Sequence, residues 1–185
     1  MSVRNLQIST KTLDLSGEDM NLLLADSYFS VGYEVYIKAQ KELSTGSVQE
    51  KVANSGSLFV GAFNLAHGFE LLLKTLLQSL HLMDKGKQHK FQSGLRALIE
   101  MEPVIAHNID MLGATSEEVF DALSSLEECY HKGRYFGVGN KKTRNTSFPS
   151  PKSIAIIVIA LAVAFPKPIM NLSYLASIAK MGSKE

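Results

Sequence analysis

The sequence predicts an all-α protein, an up-and-down bundle of about five to six helices, and three observations lead there. Apolar residues recur at spacings of three and four over most of the chain, as one face of a helix requires. Clusters of Gly, Ser and Pro interrupt those periodic runs at intervals suited to helix hairpins. The Ile- and Val-rich stretch at 154–159 would suit a buried strand, but no partner strand is evident elsewhere, so helix is the better reading.

The chain has 185 residues, enough for one domain with a sizeable core. With 45% hydrophobic and 20% charged residues it has the composition of a folded globular protein. Lys and Arg number 19 against 18 Asp and Glu, a net charge of +1, so any nucleic-acid site must be a local patch. The single cysteine, Cys129, excludes an internal disulfide and suits a reducing compartment. The opening "MSVRNLQISTKTLDLSGEDM" has no apolar signal region, so a cytoplasmic location is expected. The run "IAIIVIALAVAF" at 154–165 falls short of the ~20 residues that span a bilayer, so no membrane segment is expected.

Residues 1–15 mix polarity with some alternation and read as an extended or loosely packed arm, followed by one helical domain over 16–181. Ser16 is the expected N-cap of a first long helix, with Glu18 and Asp19 where the helix dipole favours acids. Gly32 weakens its centre and permits close approach of a neighbour. "STGS" at 44–47 turns the chain into a second helix, Val48 to about Met83, with "NSGS" at 54–57 as a candidate break. A third helix is expected at Phe91–Met101, stopped by Pro103, and then a short one in "VIAHNIDMLGA" ended by Gly113. Thr115 and Glu118 form a capping-box pattern that opens a helix to about Lys132. A long loop follows at 134–152, and an apolar helix starts at Ser153.

At about 100° per residue, the second helix has two faces. Leu58, Ala62, Leu65, Phe69, Leu72, Leu73, Leu76 and Leu80 share a broad apolar one. Asn64, His67, Glu70, Lys74, Gln78 and His81 share a polar arc of roughly 120°. Glu70 and Lys74 are spaced as an i,i+4 ion pair. Leu71 and Leu77 flank the stripe with apolar surface, so it should be partly buried, and its charges must then pair with one another. Partners are sought in "KGKQHKFQSGLRALIE", with His89 ahead of a helix, and in "ECYHKGRYFG", with His131, Lys132 and Arg134 at a helix end. Lys141, Lys142 and Arg144 give the long loop a basic stretch that suits phosphate or RNA.

"GFELLLKTLL", "QHKFQSGLRALI" and "LEECYHKGRYFG", in that order, resemble the three recognisable segments of HEPN domains, over roughly residues 20–175. The resemblance implies a helical bundle, frequently dimeric, with polar residues gathered at a groove. By position, the matching residues are Glu70, Lys74, His89, Arg134 and Tyr135, while His67 matches no element of the pattern. Many HEPN proteins are metal-independent ribonucleases with an Arg, four to six residues, then His. The chain lacks that signature: ten residues separate Arg96 from His107, and no His follows Arg134 or Arg144.

The expectation is therefore a HEPN-like binding or interaction module rather than an enzyme, with a nucleotide or RNA as ligand and a homodimer as the assembly. The resemblance alone implies a defence or toxin–antitoxin setting. One alternative is a ribonuclease with displaced catalytic groups, His89 or His131 supplying the proton transfer and Arg134 the charge stabilisation. Another is a homodimerising structural protein without a ligand. No cofactor or metal is expected: Glu128-x-x-His131 has the di-iron spacing but no second copy. "GVGNKKT" lacks the full phosphate-loop spacing, and Cys129 reads as a packed thiol.

Overall fold

The computed structural model describes residues 6, 7, 9, 20–82, 90–134 and 147–165, with the backbone alone for 51–53, 133 and 134. These residues form six helices and no strand: α1 (Met20–Thr45), α2 (Val48–Ser79), α3 (Phe91–Met101), α4 (Val104–Met111), α5 (Ser116–Arg134) and α6 (Pro151–Ala164). The all-α class follows. Ser16 and the chain beyond 165 lie outside the described residues.

α1 and α2 make an antiparallel hairpin whose backbones nearly touch. A Cβ on Gly61 would lie 2.7 Å from the Tyr36 nitrogen, and one on Gly32 2.7 Å from the Leu65 nitrogen. Only hydrogen fits at either position. Ser47 caps α2: its hydroxyl accepts from the Glu50 N–H, and the Glu50 carboxylate accepts from the Ser47 N–H. Those bonds hold the Glu50 carboxyl below its ordinary pKa.

"NSGS" at 54–57 does not break α2, which runs unbroken through it. Ser55, Gly56 and Ser57 are exposed there, so their weak propensity is carried by the capped start and by buried Leu58 and Ala62 just beyond. The helix instead ends earlier than its sequence pattern suggests, at Ser79. His81 takes a left-handed φ of 56° where glycine is usual; its N–H donates to the Gln78 carbonyl, and the Leu82 N–H donates to that of Leu77. That is a Schellman cap with histidine at the strained position.

α2 packs on α1, α3 and α5, and α6 packs on α4 and α5. Arg96 on α3 lies 4.0 Å from the centre of the Phe120 ring of α5. Glu127 on α5 caps α3 from outside, accepting from the Gln92 N–H at 3.0 Å, where a helix N-terminus favours an anion. Thr115 and Glu118 form the expected capping box. Gly113, at φ 80°, turns the chain out of α4.

α6 begins at Pro151, two residues earlier than the sequence suggests, because Ser150 caps it and Pro151 occupies its first turn. Ahead of that cap, the Tyr36 hydroxyl donates to the Pro149 carbonyl at 2.7 Å and Phe148 packs edge-on against Phe59. α6 is buried on nearly every side, as suits a helix apolar all round. Among the described residues α2 is the one helix long and apolar enough to cross a bilayer, and over half of its most apolar stretch is buried in the bundle.

Candidate functional site

Glu70 stands at the centre of α2's polar stripe and is only 3% exposed. A carboxylate so buried must be hydrogen-bonded or paired. Lys74, one turn on, places its ammonium 2.9 Å from Oε1. The Tyr130 hydroxyl of α5 donates to Oε2, and His67 Nδ1 lies 3.5 Å from the same oxygen. His67 Nδ1 is also 3.3 Å from the Tyr130 hydroxyl. Since that hydroxyl spends its proton on Glu70, its oxygen accepts from Nδ1–H. In the neutral ring Nε2 then carries the free lone pair.

Aromatic rings wall the cluster. Tyr28 of α1 meets the His67 ring edge-on at 4.4 Å, Phe63 lies parallel to it at 6.3 Å, and Tyr130 at 6.0 Å. Tyr130 continues inward to Phe91 of α3, which meets Phe69. Glu70 is thus sealed on the core side. On the other side the His67 and Lys74 side chains stay 30% and 27% exposed. The arrangement is a buried anion holding two half-exposed groups, an ammonium and an imidazole.

Of the residues that the sequence singled out, Glu70 and Lys74 are joined directly. His131 is exposed, its ring tilted against that of Tyr130 at 6.1 Å between centres. His89, Tyr135, Lys141, Lys142 and Arg144 lie outside the described residues, as does the Arg134 side chain. Arg134 is the last residue of α5, one helical turn beyond Tyr130.

Two members of the cluster, His67 and Tyr130, were not selected as site residues from the sequence. Tyr130 had a readable signal: Val119, Ala122, Leu123, Leu126 and Tyr130 are buried at helical spacing, and a phenol on that face needs an acceptor. His67 sits i−3 from Glu70, a spacing that puts both on one helix face.

Glu128 is held by Lys132, and no three His, Cys, Asp or Glu side chains among the described residues come together as metal ligands. Cys129 is buried, and burial with the nearby Glu128 carboxylate pushes its thiol up to about 12, the opposite of an activated nucleophile. No family model, curated protein or solved structure matches the chain.

Proposed function

We propose that this chain is a HEPN-like helical binding module whose Glu70-centred cluster receives a nucleotide or a segment of RNA. The observation that carries the reading is the buried Glu70 carboxylate presenting Lys74 and His67 at the surface beside Tyr28 and Phe63. Lys74 supplies a fixed charge for a phosphate, and the half-exposed His67 ring supplies a polar nitrogen beside it. A base has aromatic faces near by to stack on, an interaction worth roughly 1–3 kcal/mol per base.

Binding is favoured over cleavage because the Arg-and-His signature is missing from the sequence and Arg96 is engaged with Phe120. Titration of a labelled single-stranded RNA and of mononucleotides tests the reading. Lys74→Met and His67→Ala should each weaken binding by roughly tenfold, the equivalent of one charge-assisted contact. RNA binding that is absent in the wild type, or equal in all three proteins, removes the proposal. RNA shortened by the wild type and left intact by His67→Ala would turn the module into a ribonuclease.

A further inference from the structure

The Glu70 cluster leaves one nitrogen with nothing to hold. His67 makes its polar contacts through Nδ1 alone, 3.3 Å from the Tyr130 hydroxyl and 3.5 Å from Glu70 Oε2. Both oxygens are acceptors towards the ring, because the phenol has given its own proton to the carboxylate. The proton of the neutral imidazole therefore sits on Nδ1 and the lone pair on Nε2. Nε2 has no hydrogen-bond partner among the described residues, and the side chain is 30% exposed.

That is the configuration of a nucleophile. An imidazole nitrogen attacks best when its lone pair is free and the opposite nitrogen donates towards an anion that steadies the positive charge arriving on the ring. Glu70 is that anion. Its burial keeps water from screening it, and Tyr130 holds the ring in one tautomer as a third group orients the base of a catalytic triad. Lys74 holds the other carboxylate oxygen at 2.9 Å, so its ammonium shares a helix face with His67, two turns along. A nucleophile with a cation on a flexible stem beside it suits an anionic group in transit, and phosphoryl transfer asks a protein for little beyond position and charge.

We infer that His67 is a phosphoryl acceptor, modified at Nε2 by a donor of the phosphoramidate class. The Nε2 lone pair forms a bond to phosphorus as the donor's own P–N bond breaks. The donor nitrogen, already protonated, leaves with the bonding pair as a neutral amine. Nδ1 keeps its proton throughout, so the ring gains a positive charge facing Glu70, and Lys74 neutralises the phosphoryl oxygens. A phosphate on imidazole is itself activated, so the donor must be activated as well. Transfer from one nitrogen to another meets that condition, and a phosphate monoester does not. His67 and Lys74 touch the phosphate, while Glu70 and Tyr130 are positioning residues. RNA has no part in the step, so this activity and the binding proposed above succeed or fail separately.

The test incubates the full chain with potassium phosphoramidate and follows each histidine by mass spectrometry, the other four serving as internal references. His81 and His131 are more exposed than His67, so accessibility alone would label them first. His67 should instead react roughly tenfold faster than any of the four, with phosphorus on Nε2 by NMR. Nitrogen-15 NMR of the unreacted protein should show the Nδ1–H tautomer at His67. Lys74→Met should slow His67 by roughly tenfold without changing the other histidines, and Lys74→Arg should restore most of the rate. If Lys74→Met does not fold, the wild-type ranking and the tautomer remain decisive. An Nε2–H tautomer, phosphorus on Nδ1, or His67 reacting no faster than His81 and His131 overturns the proposal. So does an unchanged rate in folded Lys74→Met, which would leave the phosphate without a seat on this face.

Discussion

Glu70 and Asn108 are both polar and both buried on helices of the bundle, yet the bundle satisfies them in opposite ways. Glu70 is charged, and its partners are side chains from two helices locked into the core. Asn108 is neutral, and the groups that pair with its amide on one side belong to a terminal segment. A charge in a low-dielectric interior needs permanent partners, because leaving it alone is prohibitive. A neutral amide needs hydrogen bonds of the right geometry, and main chain from a segment distant in sequence supplies them here. The first arrangement suits a site with polar groups held at its rim, and the second ties the start of the chain to the bundle.

Glu70→Ala should therefore have the largest effect, about 3 kcal/mol, because it strands the Tyr130 hydroxyl and frees Lys74. Chemical denaturation measures it, and a loss no larger than that of Asn108→Ala would erase the distinction between the two centres. Asn108→Ala should cost about 2 kcal/mol, with amide exchange at Gln7 and Ser9 rising before global unfolding. Tyr130→Phe removes one donor to a carboxylate and should cost about 1.5 kcal/mol while leaving arm protection unchanged. Gln7→Ala should stay within about 0.5 kcal/mol of wild type, since Asn108 grips main chain and the side chain is exposed. A large effect at Gln7 would mean that side-chain recognition, not the peptide unit, holds the arm.

Helical periodicity made most of the fold legible, because every helix but α6 buries one face and periodicity is a local property. The Thr115–Glu118 cap could be read for the same reason. The end of α2 could not: His81 adopts a left-handed conformation without the glycine that normally announces one. The Glu70–Lys74 pair was readable because both residues lie on one helix. Tyr130 was harder, since it is 60 residues away and joins the cluster only through the packing of α5 on α2. Asn108 was hardest, looking like any polar residue of an exposed helix turn until the arm is seen against it.

Cys129 has a practical consequence for the arm. The chain's single thiol is buried, and its pKa of about 12 leaves almost no thiolate near neutral pH. To a maleimide the native protein is silent. A cysteine placed at Gln7, and a second at Lys90 on the surface, can each be given a dye without first removing the natural one. Energy transfer between the two dyes then reports whether Gln7 stays on Asn108, in a molecule whose own chemistry adds no background.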